Sequence, residues 1–170
     1  MKTVQHTNLD SLVLLGLGAN LGDPAQTLVD AVKQIAQEAG ITLIQSASLY
    51  QSAPVDAPGP HYVNTAVLIR TTLRPSELLQ RTQAIEHAFG RQRSVRNAPR
   101  TLDIDLLWHE HLQSDATELI LPHPRLHQRA FVLKPLIELL GPDFIVQQQT
   151  AQHWLSLCQD QVCEKIPSTI

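Results

Sequence analysis

The chain has 170 residues, 43% hydrophobic and 17% charged, which suits one globular domain with a core of its own. Its formal net charge of −3 argues against a general nucleic-acid binder, since such proteins carry a basic surface. No apolar run of about 18 residues offers a membrane span, residues 1–10 are polar without a signal core, and a cytoplasmic protein is expected.

Residues 12–18 form a continuous apolar run, the pattern of a central strand. The following loop closes on a helix start, where Asp23 suits the N-cap and Pro24 the first helical position. Leu28, Val32, Ile35 and Ala39 share one stripe, and Gly40 ends the helix. The spacing Gly16-x-Gly18-x-x-x-Gly22 invites a nucleotide-loop reading. No Gly-Lys-Ser/Thr follows, however, and the Rossmann spacing is absent. These glycines read as a tight strand-to-helix turn with close backbone packing. Residues 41–52 form a second strand, long and mixed in pattern. Residues 53–60 hold Pro54, Pro58 and Pro60, a stiff loop that either fixes backbone groups for a ligand or is a plain connector.

Residues 61–71 form a third strand, with Tyr62, Asn64 and Ala66 on one face and Val63, Thr65 and Val67 on the other. Arg74-Pro75-Ser76-Glu77 opens a second helix ending at Phe89-Gly90, with Leu78, Leu79, Ile85 and Phe89 on its apolar stripe. Gln83 and Glu86 share another face, which is equally that of an ordinary wet helix.

Residues 90–99 make a polar, basic loop. Six of the nine arginines fall between Arg91 and Arg129, so the positive charge is local and suits a small anionic ligand. Beyond it Leu102, Ile104 and Leu106 alternate with Thr101, Asp103 and Asp105, the signature of a half-buried strand. Residues i and i+2 of a strand leave the same face, about 6–7 Å apart. Asp103 and Asp105 thus present two carboxylates side by side, next to arginines at 91, 93, 96 and 100. Hard oxygen ligands hold Mg²⁺, and guanidinium forks hold phosphoryl oxygens. Such a pair is also the common solvated end of a strand, and alone it does not decide.

Residues 109–115 are a polar turn region. Residues 132–140 read as a helix despite Pro135, which would break or kink it. Residues 144–146 suggest a short strand, and Thr150 caps a last helix through residue 157. Cys158 and Cys163 fit no zinc spacing and make no disulfide framework. His109 with His111, and His123 with His127, lack the further ligands of a zinc set. Nothing splits the chain, so residues 1–170 read as one domain with a polar N-terminal tail over about residues 1–10. The order β-α-β-β-α-β over residues 12–108 is the ferredoxin-like arrangement, an α+β fold, with the C-terminal segment added to cover the other sheet face.

Five stretches together resemble one family: Gly16-Leu-Gly-Ala-Asn-Leu-Gly-Asp23, Tyr62-Val-Asn64, Gly90-Arg91-x-Arg93, Pro99-Arg-Thr-Leu-Asp-Ile-Asp105, and Leu121-Pro-His-Pro-Arg-Leu-His-Gln-Arg-Ala-Phe131. In order and spacing the set resembles 6-hydroxymethyl-7,8-dihydropterin pyrophosphokinase, a family of folate biosynthesis, over roughly residues 14–140. The resemblance implies an enzyme in which the pterin hydroxymethyl oxygen attacks the β-phosphorus of ATP and AMP leaves. It also implies a three-layer α/β/α arrangement around the ferredoxin-like core, and two Mg²⁺ ions on Asp103 and Asp105 with ATP as co-substrate.

Carried over residue by residue, Tyr62 and Phe131 flank the pterin ring, Asn64 reads its amide-like edge, and Ser52 and Val55 contact it from the loop. Gln83, Glu86, Arg100, His123 and Arg129 fall at ATP-binding positions. Arg91 and Arg93 are catalytic arginines of a mobile loop closing over ATP. The implied partners are ATP and 6-hydroxymethyl-7,8-dihydropterin, with no nucleic acid, no membrane and a monomeric chain. Two departures stand out. Asn97-Ala98 replaces an aromatic-Gly pair in a loop one residue shorter than in some relatives, and Pro124 follows His123 where some members have an aromatic. A non-catalytic binding module on this scaffold would be expected to lack the aspartates and loop arginines, which this chain keeps. A ferredoxin-like RNA-binding domain stacks bases on sheet aromatics, and three Phe, two Trp and two Tyr in an acidic chain give it little to stack with.

Overall fold

Strand β1 (Ser11–Ala19) runs through the sheet interior, and its apolar sequence follows from that position. Val13, Leu15 and Leu17 belong to one apolar cluster and Leu14 to a second, all of them buried. A strand covered on both faces needs a continuous apolar run rather than alternation. The computed structural model describes residues 10–54, 59–90 and 101–167.

Helix α1 (Pro24–Gln37) starts where its capping residues predict: Asp23 accepts a hydrogen bond from Gln26 N at 3.0 Å. Leu28, Ala31 and Ile35 form its buried stripe. Ala39 falls beyond the last helical turn.

The long strand expected over residues 41–52 is two strands, β2 (Ile41–Ser46) and β3 (Tyr50–Ser52). Both pair antiparallel with β4 (Tyr62–Thr71) along one path. Ser46 faces Val67 and Tyr50 faces Asn64, so four steps on one side meet three on the other and an extra residue must bulge out. Side chains replace the lost ladder bonds. Thr65 Oγ1 donates to the carbonyls of Ala47 and Ser48 at 3.1 Å, and Glu138 Oε1 accepts from Ser48 N at 3.0 Å and Ser48 Oγ at 2.8 Å.

Helix α2 (Pro75–Ala88) leads to β5 (Asp103–His109), which pairs antiparallel with β1 on the side away from β4. The order is therefore β2 and β3, then β4, β1 and β5. A register shift opposite Leu14 and Leu15 lets Leu107 and its neighbour Trp108 pack into the same apolar cluster.

Downstream come a hairpin of β6 (Ser114–Ala116) and β7 (Leu119–Leu121), a 3₁₀ turn over Leu126–Gln128, and helix α3 (Ala130–Leu140). Pro135 lies inside α3 without breaking it. Its missing N–H costs the bond to the Phe131 carbonyl one turn back, and burial of Leu133 and Leu136 on either side holds the helix together. A second hairpin, β8 (Ile145–Val146) with β9 (Gln149–Thr150), precedes α4 (Ala151–Ser156), capped as expected by Thr150, which accepts from His153 N at 3.1 Å. The tail then adds β10 (Cys163–Lys165) to the sheet beside β3, a strand the sequence pattern does not announce.

Among the described residues the result is an antiparallel sheet with four α-helices. Leu28 and Ile35 of α1 and Leu78 and Ile85 of α2 share a core with Val13, Leu15, Val63, Val67 and Ile104. Leu133 and Leu136 of α3 and Ala151 of α4 share the other core with Leu14, Ala66 and Leu107. Cys158 and Cys163 are buried free thiols in this second cluster.

Candidate active site

The site is built outward from β1, which brings Gly16, Leu17 and Gly18 to it. Gly18 pairs with Asn64 on one side and Asp103 on the other; Gly16 pairs with Ala66 and Asp105. Two rows thus cross the sheet, each with a glycine between a β4 residue and a β5 carboxylate. A β-carbon on Gly16 would stand 2.9 Å from Leu107 Cδ1, and one on Gly18 would stand 3.0 Å from Asn64 Oδ1. The missing side chains let Leu107 pack close over Gly16 and the Asn64 amide over Gly18, which keeps the floor of the cleft low. The strand expected over residues 12–18 holds, and so does the close packing expected at these glycines; the turn expected of all three does not. Of the three motif glycines, Gly22 takes the turn, with φ of +64°.

On the β4 side, Asn64 is 5% exposed, and its Nδ2 donates to Ser52 Oγ at 2.8 Å. That bond fixes the amide orientation and leaves a second N–H and Oδ1 available by valence. Tyr62 lies next along the same face, opposite Ser52.

The opposite wall comes from the segment leading into α3. His123 N donates to the Leu107 carbonyl at 2.8 Å, tying the segment to β5. His123 Nδ1 accepts from Arg125 N at 3.2 Å, which assigns the ring proton to Nε2. Burial lowers the imidazole pKa below its usual 6.5, and the Arg129 charge adds to this; Asp103 pulls the other way, and Arg125 lowers it further. The ring is therefore held as a neutral Nε2–H donor near neutral pH. Arg129 places its guanidinium carbon 5.5 Å from the Phe131 ring centroid, within reach of a cation–π contact.

These elements enclose a cleft of about 860 Å³ lined by Ser52, Tyr62, Asn64, Asp103, Asp105, His123, Arg129 and Phe131, with Gly16 and Gly18 beneath. That volume lies in the upper part of the range for small-molecule sites. Asp103 and Asp105 are half-buried on one strand face. Among the described residues no three His, Cys, Asp or Glu side chains gather into a metal-ligand set. Two carboxylates fit a hard cation that keeps some waters and takes its other ligands from a phosphate, the habit of Mg²⁺. They do not fit a closed zinc site.

Gln83 and Glu86 stay outside the residues lining this cleft. Gln83 is exposed on α2. Glu86 is not on the wet surface that its spacing allows: it is 3% exposed, and its Oε1 accepts from Ile104 N at 2.7 Å. β5 is the sheet edge on that side, and α2 covers it, so the outward amide of Ile104 needs an acceptor. Val55, Arg91, Arg93 and Arg100 lie outside the described residues, as does Asn97-Ala98.

Sequence reasoning missed the two floor glycines and the cleft residues Gln128, Asp160 and Gln161. The glycine signal was available: counting the strand period on from Leu14 puts residues 16 and 18 on one face.

The sequence profile of the 7,8-dihydro-6-hydroxymethylpterin-pyrophosphokinase (HPPK) family matches residues 14–141. A 2-amino-4-hydroxy-6-hydroxymethyldihydropteridine pyrophosphokinase of Synechocystis is 41% identical over 132 residues, covering 78% of this chain and 67% of its own. Its counterpart in Bacillus subtilis is 40% identical over 132 residues, 77% of this chain and 79% of its own. A crystal structure of Plasmodium falciparum HPPK-DHPS with pterin and p-hydroxybenzoate superposes with a TM-score of 0.68 at 13% identity, over 91% of this chain. The present chain spans 45% of that longer one. The chain belongs to the 7,8-dihydro-6-hydroxymethylpterin-pyrophosphokinase family of enzymes.

Proposed function

We propose that the chain transfers pyrophosphate from ATP to the hydroxymethyl group of 6-hydroxymethyl-7,8-dihydropterin in folate synthesis. The observation that carries this reading is the row Asn64–Gly18–Asp103, which sets an amide and a carboxylate on either side of a bare floor. The pterin lies over the β4 side. Asn64 pairs with its amide-like edge, Ser52 holds Asn64 in register, and Tyr62 and Phe131 flank the ring. Val55 adds a loop contact. ATP lies over the β5 side, with His123 and Arg129 donating to phosphate oxygens.

The pterin hydroxymethyl oxygen forms a bond to the β-phosphorus, the bond from that phosphorus to the α,β-bridging oxygen breaks, and AMP leaves with the bridging oxygen. The hydroxyl proton is lost from the attacking oxygen. Asp103 and Asp105 are the residues that would hold Mg²⁺, two ions in this reading; bound there, the cations would neutralise charge on the phosphoryl oxygens. Arg91 and Arg93 would close over ATP from their loop, and Arg100 would contact the phosphates. Gln83 is assigned to ATP on the resemblance alone. The burial of Glu86 supports a role beneath the β5 backbone, between the two carboxylates, rather than direct contact with nucleotide. The reading includes a ferredoxin-like βαββαβ core in three layers, supported by the antiparallel strand order and the two apolar clusters. It also takes the chain as a cytoplasmic monomer, the second point being open to light scattering.

Incubation of purified protein with ATP, Mg²⁺ and the hydroxymethyl pterin is expected to yield AMP and a pyrophosphorylated pterin. AMP no greater than in the pterin-free control would overturn the proposal.

A further inference from the structure

Gln161 lies beyond the stretch matched by the family, past α4, yet its half-buried side chain reaches back to the start of α3. Its Oε1 accepts from Ala130 N at 2.8 Å, and its Nε2 donates to the Gln128 carbonyl at 2.9 Å. The two bonds straddle Arg129. The first amides of a helix have no acceptor within it, and an N-cap side chain oxygen normally helps satisfy them. Arg129 holds the N-cap position of α3 and offers donors only. Gln161 supplies the acceptor from a distant part of the chain. It is itself anchored: its backbone N donates to the Cys158 carbonyl at 3.0 Å, and β10 follows directly on the sheet. Gln161 and Gln128 both line the cleft beside Arg129 and Phe131.

We propose that Gln161 is a positioning residue whose amide clamps residues 128–130, so that Arg129 and Phe131 meet the nucleotide and the pterin in one geometry. This rests on the assignment of those two ligands to the cleft under the proposed function. The clamp acts on binding rather than on the bond-making step, because it fixes groups that hold the ligands while Asp103 and Asp105 sit on a separate strand. It also makes the C-terminal segment part of the site, although that segment carries no recognisable motif.

The test compares Gln161→Leu, which removes both bonds at similar volume, with Gln161→Glu, which keeps the acceptor for Ala130 N. Gln161→Leu is expected to raise KM for both ATP and the pterin about three- to tenfold with kcat within about twofold, the scale of one or two lost hydrogen bonds. Gln161→Glu, which keeps the Ala130 bond and loses the one to Gln128, is expected to give KM values between those of Gln161→Leu and wild type. Amide exchange at Ala130 in the ligand-free protein is expected to be faster in the Leu variant and near wild type in the Glu variant. Unchanged exchange in Gln161→Leu overturns the clamp; faster exchange with unchanged KM values reduces it to a helix cap and overturns the positioning role. Should Gln161→Leu fail to fold, Gln161→Asn, one methylene too short to span both groups, carries the same expectations. Wild-type protein without pterin-dependent AMP formation overturns the functional reading itself, a result separable from wild-type activity with unaffected variants.

Discussion

At the scale of residues, the proposed function separates groups that would hold a ligand from groups that would make room for one. Asp103→Ala or Asp105→Ala removes a hard oxygen donor from the β5 row. Either change is expected to cut kcat by a hundredfold or more, since metal charge stabilisation of the transferred group contributes several kcal/mol. Near-normal turnover in either variant would remove the carboxylates from the mechanism. Gly18→Ala acts differently. Its new β-carbon would come within 3.0 Å of Asn64 Oδ1, so the amide must give by a few tenths of an ångström and leave its present geometry. The expected result is a pterin KM raised about tenfold against a nearly unchanged ATP KM, on the scale of one displaced hydrogen bond. Equal effects on both substrates would argue that the floor serves the whole cleft. The carboxylate pair was visible in the sequence as a period-2 pattern. The shared face of Gly16 and Gly18 was legible in the same period, but not what Gly18 packs against, because that depends on which residues of β4 and β5 stand beside it.

At the scale of elements, two side chains hold backbone in place where the ladder stops. Glu86 satisfies Ile104 N on the edge of β5, and Glu86→Ala would leave that buried amide unpaired. A loss of about 1–3 kcal/mol is expected, together with reduced kcat because the same backbone carries both aspartates; urea denaturation and steady-state kinetics measure the two. Glu138 performs a similar task at the β2–β3 interruption, where it accepts from Ser48 N and Oγ and from Tyr50 OH at 2.7 Å. Burial pushes the Glu138 carboxyl up, but the bonds from Tyr50 and Ser48 and the charge of Lys165 outweigh it, and the net position is below 4.5. A carboxyl lowered in the folded state adds stability above its unfolded value and loses it as pH falls through the folded one. Urea midpoints measured downward from pH 5 are therefore expected to fall more steeply in wild type than in Glu138→Gln; parallel slopes would contradict the assignment. Caps and stripes made β1, α1 and α2 readable from local sequence. The break within residues 41–52 was not readable, because its cause lies in Thr65 and Glu138, far along the chain. β10 was missed because three residues cannot display a period.

Across the whole molecule, the sheet divides the labour between two cores. The cluster with α1 and α2 supports the back of the sheet, while the cluster with α3 and α4 stands under the cleft wall that carries Arg129 and Phe131. Leu133 is fully buried in the second cluster, one turn from Ala130. Leu133→Ala is expected to cost about 2–5 kcal/mol in unfolding free energy, and to loosen the wall more than the carboxylate row. The sequence pattern foresaw most of the strands, and the family resemblance named eight residues that do line one cleft. It could not foresee how the C-terminal segment returns to that cleft, since a single glutamine at position 161 carries no periodic or motif signal.

The glycine floor has a thermodynamic consequence. β4 and β5 present their ligand-facing groups in line because each pairs with β1, and no subset of these three strands contains a site. A ligand that spans the rows binds the assembled sheet and nothing less, so its binding free energy adds to the stability of the global fold. Saturation with nucleotide or pterin is thus expected to slow exchange of the Leu15 and Leu17 amides by the same factor by which it raises the folding equilibrium constant. Both side chains are buried in the apolar cluster shared with α1 and α2.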